Sequence, residues 1–362
     1  MRFGLTQEQL MFDASLRGWL ADRLPAEELR RLAETADGFD AALWQGLGEL
    51  GLHGQLVPES EGGAGLGALD AALAAEALGY AAAPAPFAAS LAMAPLAFRA
   101  CASAQQQRDW LPRIASGEVR IALGFAGRSA ARVPALENGR LTGALAGMLD
   151  GGSATHHMAF LPDGRAVLTE AGAAGVKATL RRTVDRTRPL ADLVLDGAVP
   201  VEILDAANDP QRAARRVRDA GRVMLAADTL GAAQNMLDRA VAYAGERVQF
   251  GRVIGSFQGV KHACAEMVSM LEPCRALLWY AAYAQDAVPE EASAAASHAK
   301  AHLGEVGREV ARIATEVHGG MGFTDLLGLH YQFKRVAFDR QVLGTPEECR
   351  QDAAVAQGWI AA

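Results

Sequence analysis

The pattern of the chain changes twice, near residue 118 and again at Asn208-Asp-Pro210, and these two changes restrict the fold most. Before the first change the apolar spacing is helical. Thr6-Gln-Glu-Gln9 reads as a capping box, and Leu10, Phe12, Leu16, Trp19 and Leu20 follow at helical intervals. Pro25 ends this run, and a second helix is predicted through Leu43, Trp44, Leu47 and Leu50. The glycines of residues 57–67 interrupt the pattern, Asp70 to Leu78 resumes it, and Ala83-Pro-Ala-Pro86 is a stiff elbow. Another helix follows, and 105–114 leads up to Gly117. Between 118 and 205 the chain breaks into short apolar segments at 119–123, 166–169, 193–195 and 201–204. Gly, Asp, Asn and Pro separate them, as in a small antiparallel β domain. Asn208-Asp-Pro210 then opens a helix with an Asx cap and a first-turn proline. Long helices are predicted at 211–247, 260–285, 291–317 and 328–342. The fold class is therefore α+β and mainly α. Its domains are a helical domain at 1–117, a β domain at 118–207 and a C-terminal helical bundle at 208–362.

Composition removes whole classes of function. Lys and Arg number 35 against 42 Asp and Glu, a net charge of −7, which argues against a polyanion as the main partner. The four cysteines, Cys101, Cys264, Cys274 and Cys349, lie far apart. No metal site is expected, and their scatter suits a reducing cytoplasm better than a disulfide scaffold. Hydrophobic residues make up 51%, yet no uncharged apolar run has the roughly 20 residues of a membrane span. The first 20 residues carry acids where a secretory signal needs an apolar stretch.

Two stretches carry chemistry. In Ala242-Tyr-Ala-Gly-Glu-Arg-Val-Gln-Phe-Gly-Arg-Val-Ile-Gly-Ser-Phe-Gln-Gly-Val-Lys-His262 a helix ends at Arg247, a turn spans Gly251 to Gly255, and a helix restarts near Phe257. An arginine suits a pyrophosphate and a phenylalanine offers a stacking face. A plain corner with a surface arginine and core phenylalanines explains the same residues. In Glu316-Val-His-Gly-Gly-Met-Gly-Phe-Thr324 three glycines in four residues allow close approach of backbone amides to a ligand. It is not GxGxxG and follows no strand, so a Rossmann reading is poor, and a glycine-rich helix end is the plain alternative.

With further marks in the same order, these stretches resemble the acyl-CoA dehydrogenases over nearly the whole chain. The marks are Leu5-Thr-Gln-Glu-Gln9, Trp44…Leu47-Gly-Glu-Leu-Gly-Leu52, Val57-Pro-Glu59, Gly62-Gly-Ala-Gly65, Trp110-Leu-Pro112 and Gly117-Glu118. The resemblance implies a helical domain, a middle β domain and a C-terminal four-helix domain. It implies FAD shared between subunits of a homo- or heterotetramer, an acyl-CoA substrate, and electron-transfer flavoprotein as acceptor. It implies that Arg247 holds the FAD pyrophosphate, with Gln249 and Phe250 beside it and Phe257 and Gln258 on the adenosine side. Glu316, Val317, His318, Gly319 and Gly320 match the loop that reaches FAD from another subunit, with Glu316 where glutamine is usual. Thr345 belongs to the same cofactor set, and Arg222 matches a substrate-side arginine. A solvated face beside Arg212, Arg215, Arg216 and Arg218 is the alternative for Arg222.

The implied reaction removes hydrogens across the α,β carbons of the thioester, with a carboxylate as base. The resemblance implies that glutamate in a Glu-Gly-Thr run or just before the substrate-side arginine. The matching positions are Leu343 and Gly221, so no catalytic residue is assigned. Asp228 lies about 10 Å along the helix from Gly221, and a structural ion pair is the favoured account of it. Glu347 and Glu348 read as a solvated turn. The flavin-facing β segments also depart from the family pattern. They read Ala122-Leu-Gly-Phe-Ala-Gly-Arg-Ser-Ala-Ala131, where Ser129 is a weak hydroxyl candidate, and Gly147-Met-Leu-Asp-Gly-Gly-Ser-Ala-Thr-His-His157. His156 and His157 are adjacent and would face opposite ways on a strand, which disfavours a metal pair. The resemblance also implies an alternative role: a partner subunit that completes the FAD site of a catalytic homologue.

Overall fold

The computed structural model describes residues 4–35, 37–127 and 132–361. Its N-terminal helices are α1 (Gln7–Arg23), α2 (Ala26–Ala33), α3 (Ala41–Glu49), α4 (Ala68–Tyr80), α5 (Ala94–Cys101) and α6 (Ala104–Ala115). The capping box is real: Thr6 Oγ1 accepts from Gln9 N at 3.2 Å, and Gln9 Oε1 accepts from Thr6 N at 2.9 Å. After the proline elbow the chain forms a fully buried π-helical turn, Ala88–Met93, which no sequence pattern announced.

Eight strands follow: β1 (Ile121–Phe125), β2 (Ala135–Glu137), β3 (Arg140–Met148), β4 (His156–Phe160), β5 (Ala166–Glu170), β6 (Val176–Arg181), β7 (Leu190–Ala198) and β8 (Glu202–Leu204). They form two four-stranded sheets, ordered β1-β4-β5-β8 and β2-β3-β7-β6. All pairings are antiparallel except β1 with β4, which run parallel in register Ile121↔His156 to Phe125↔Phe160. The domain is antiparallel as expected, with that one parallel pair within it. Strands β3 and β7 alternate buried and half-exposed positions, and Leu141, Leu145, Met148, Leu193 and Leu195 fill the core with Val167 of β5.

The C-terminal helices are α7 (Pro210–Glu246), α8 (Gln258–Ala287), α9 (Ala292–His318), α10 (His330–Gln341) and α11 (Pro346–Ala356). A two-stranded hairpin, β9 (Val248–Gln249) and β10 (Arg252–Val253), joins α7 to α8. Asp209 caps α7, its Oδ1 accepting from Arg212 N at 2.9 Å.

Packing groups the chain into two compact units. One gathers the described residues of 1–31, 72–83 and 222–362; the other gathers those of 32–71 and 84–221. In the first unit α4 and α7 meet through glycine. A Cβ at Gly79 would lie 2.1 Å from Asp228 O, and one at Gly231 would lie 1.9 Å from Glu76 O. No larger residue fits there without parting the helices. A buried carboxylate, Glu76, bridges Arg17 at 3.1 Å and Arg275 at 2.6 Å, tying α4 to α1 and α8. In the second unit Trp44 stacks on buried His53 with ring centroids 4.1 Å apart and donates to Gly117 O at 3.0 Å. No described helix is long and apolar enough to cross a membrane.

Candidate cofactor and active site

The Arg247 segment is built as an exposed hairpin. Gln249 pairs with Arg252, which leaves Phe250 and Gly251 as a two-residue turn with φ of 53° and 78°. Both angles are positive, the geometry of a primed turn that favours Asn or Gly first. Phenylalanine stands there instead, 91% exposed. Its ring lies edge-on to Phe257 at 6.1 Å, and the Arg252 guanidinium stands 4.0 Å above the Phe257 ring. Phe257 N-caps α8 with no side-chain hydrogen bond to the helix's first amides. A 30-residue helix thus opens on uncapped N–H groups beside exposed Arg247 and Gln258. Such a terminus attracts phosphate. Exposed aromatic rings beside it suit a nucleobase or a covering subunit. These residues fit the adenosine–pyrophosphate end of a flavin dinucleotide.

Tyr243, on the last turns of α7, brings the second motif to the first. Its ring lies 4.8 Å from that of His318 at the end of α9. His318 is buried, and its Nδ1 sits 2.7 Å from Ala314 O, which fixes the proton on that nitrogen. Burial pushes the His318 pKa below the usual histidine value. Gly319 turns the chain with φ of 59°, and Gly319 and Gly320 are open to solvent. Glu316 is exposed and ion-paired with Arg312. Val317 is buried in the α9 face. Beyond the glycines, Phe323 and Leu326 are largely exposed beside a groove of about 680 Å³ lined by Arg312, Glu316, Phe323 and Phe333.

The Leu343-Gly-Thr345 run is held from below. Arg222 is buried, and its Nε donates to Leu343 O at 2.8 Å, its Nη1 to Ser297 Oγ at 3.0 Å and its Nη2 to Asp352 at 2.6 Å. Lys300, also buried, donates to Gly344 O at 3.2 Å, and burial pushes its pKa down. Two cations therefore grip consecutive carbonyls of one loop. Arg222 was expected on the substrate side. In the structure its guanidinium donates to the loop, to Ser297 and to Asp352. Thr345 N-caps α11 with Glu348 in a capping box, and Glu347 lies 3.6 Å from Arg340. Neither glutamate is drawn toward a site. Asp228 is buried and paired with buried Arg335 at 2.9 Å, the structural role the sequence favoured for it. Lys300 escaped the sequence reading. The signal was present, since it is a lysine among small residues (Ala299, Ala301) on a helix face that must be buried.

In the second unit the Gly147–His157 stretch packs against its neighbours. Asp150, with φ of 58°, accepts from Ala89 N of the π-helical turn at 2.8 Å and pairs with Arg188 at 3.5 Å. Both side chains are buried, and the gap beside them is about 10 Å³, at most one water. His156 sits edge-on to Trp110 at 5.0 Å, while His157 is buried with neither ring nitrogen hydrogen-bonded. Among the described residues no group of histidine, cysteine or acid side chains is arranged to hold a metal. Ser129 lies outside the described residues.

A helical start, a β middle and a bundle of long helices, the first two joined by an exposed hairpin, make up the chain. The N-terminal domain signature of the acyl-CoA dehydrogenases matches residues 6–118, and their C-terminal domain signature matches residues 212–356. The acyl-CoA dehydrogenase IpdE2 of Mycobacterium tuberculosis is 30% identical, across 94% of this chain and 95% of that protein. Two solved structures superpose over nearly the full length. One is a Tcur3481-Tcur3483 steroid ACAD variant, with TM-score 0.88 and 28% identity over 98% of each chain. The other is the ChsE4-ChsE5 complex of Mycobacterium tuberculosis, with TM-score 0.89 and 26% identity over 100% of each chain. This chain belongs to the acyl-CoA dehydrogenase family.

Proposed function

We propose that the chain serves FAD-dependent α,β-dehydrogenation of an acyl-CoA thioester, as one subunit of a tetramer. The observation that carries this is the Arg247–Gln258 hairpin, where an arginine, two aromatic rings and an uncapped helix N-terminus converge on open surface. Arg247 and the first amides of α8 would hold the pyrophosphate, with Gln249, Phe250, Phe257 and Gln258 around the adenosine. The loop from Glu316 to Gly320, with Thr345, would complete the cofactor contacts. When bound, FAD accepts the hydride from the substrate. The likeness to the steroid ACAD supports a bulky acyl group. Electron-transfer flavoprotein is the acceptor, the cytoplasm the setting, and the segments 1–117, 118–207 and 208–362 the domains.

A second role within the same enzyme, that of a partner subunit, is read from three features of this chain. Leucine stands at position 343, Asp228 is consumed by Arg335, and the Asp150–Arg188 pair fills its own surroundings. A chain so built can complete a neighbour's FAD site while a paralogous chain supplies the base. The chain is purified alone and its visible spectrum recorded before and after acyl-CoA is added. A yellow protein that bleaches establishes the stand-alone enzyme and sinks the partner role. A colourless protein that turns yellow only on co-expression with a paralogue does the reverse. If neither preparation ever carries flavin, the FAD assignment itself fails.

A further inference from the structure

Away from the hairpin and the Leu343 loop, the first unit contains a cavity of about 250 Å³ among α1, α4, α7 and the start of α10. Its apolar wall includes Leu20, Leu24 and Leu29. Besides Arg17 and the tyrosines, three polar groups line this space. Asn235 and Arg239 stand one helical turn apart on α7, and Gln332 comes from α10. Gln332 is 4% exposed; its Nε2 donates to Tyr80 O at 3.4 Å, and its Oε1 has no hydrogen-bond partner. Asn235 Oδ1 is likewise buried and unpartnered. Two acceptors without donors in one cavity are a costly arrangement for a folded protein.

Arg239 adds charge. It donates to Leu327 O but has no carboxylate partner among the described residues. The nearest acid in sequence, Asp238, is taken up by the Tyr80 hydroxyl at 3.0 Å and by Gln234 at 2.8 Å. Burial pushes the Arg239 pKa down, as expected of a cation short of both water and a counterion. Arg17, also on the lining, is already engaged by Asp13 and Glu76.

We propose that this cavity binds a small organic carboxylate that also bears a hydroxyl or N–H donor. The carboxylate meets Arg239, the donor meets Gln332 Oε1 with Asn235 Oδ1 nearby for a second hydrogen from the ligand or a water, and a short carbon skeleton lies against the leucines. At about 30 Å³ per water the space holds on the order of eight waters, so a nucleotide or a whole CoA does not fit. Two arginines on the lining repel an amine. Water alone supplies donors but leaves the guanidinium without its counterion. The proposal stands apart from the flavin assignment and does not depend on it.

Isothermal titration of the full-length protein tests it, in whatever assembly it purifies, with lactate as probe. Propionate lacks the donor and propylene glycol lacks the charge. Lactate is expected to bind one per chain, with each comparator weaker by roughly tenfold or more. Arg239→Gln and Gln332→Leu are each expected to weaken lactate to a similar degree. Leu24→Trp, which fills the cavity without touching a polar group, is expected to abolish binding and keeps the test open if Arg239→Gln fails to fold. Absence of saturable binding overturns the proposal. So does equal binding of propionate, or lactate binding unchanged in Leu24→Trp and Gln332→Leu.

Discussion

Leu343 holds a left-handed backbone, with φ of 59°, at a half-buried position where glycine is the unstrained choice. The hydrogen bonds from Arg222 and Lys300 to the Leu343 and Gly344 carbonyls are what keep it there. Leu343→Gly is expected to change stability by no more than about 1 kcal/mol, because relief of strain offsets lost packing. Its neighbour is different. Gly344 has φ of 113°, and a Cβ there would meet Arg222 Nη2 at 3.0 Å and Cys349 Sγ at 3.2 Å. Gly344→Ala is expected to cost about 2 kcal/mol or more in denaturant unfolding. Asp228 obeys the same local logic from the other side. Its partner Arg335 is fully buried, so Asp228→Asn breaks a buried ion pair and is expected to cost about 3–5 kcal/mol. A loss of chemistry with unchanged unfolding free energy would instead make Asp228 the missing base.

At the scale of elements, the β9–β10 hairpin separates binding from stability. Arg247 is exposed, so Arg247→Ala is expected to leave unfolding within about 0.5 kcal/mol of the parent. Flavin retained through gel filtration should fall roughly tenfold or more, as for loss of a charge-assisted contact. Phe250→Asn relieves the turn and should hold or raise the melting temperature while the flavin is lost. Flavin retention equal to the parent in both variants would remove the hairpin from the cofactor site. The stretch stood out because its glycines, arginines and aromatic residues are contiguous, but the sequence placed a plain turn at Gly251 to Gly255 and not the two short strands around Phe250 and Gly251. The long C-terminal helices were legible, since their caps and spacing are local. Strand β3 was not legible, since Arg140–Met148 is rich in Ala and carries Gly143 and Gly147 at positive φ, a mixture with little strand propensity. Strand β4 hid for another reason: it is buried at every position and shows no alternation. The Asp150–Arg188 pair and the Arg222–Leu343 contact join residues 38 and 121 positions apart. No periodicity reports such a distance.

For the molecule as a whole, the acid response separates into two windows. His53 and His157 are buried, and burial pushes both pKa values from the usual 6.5 down to about 4. In the unfolded chain both rings titrate near their ordinary value. Between those limits the unfolded state binds more protons than the folded state, so stability falls as the pH falls. Below about 4 the folded rings protonate as well, and these two histidines contribute no further loss. The exposed acids with lowered pKa, Asp325 and Glu309 among them, start from carboxylate values and lose their contribution only at more acid pH. The decline from about pH 6.5 to 4 therefore belongs to the buried histidines. Melting temperature recorded across that range should drop by several degrees, and His157→Phe should flatten the slope even if it shifts the whole curve. An unchanged slope in His157→Phe would show that water reaches this ring and that the core around β4 opens before the protein unfolds.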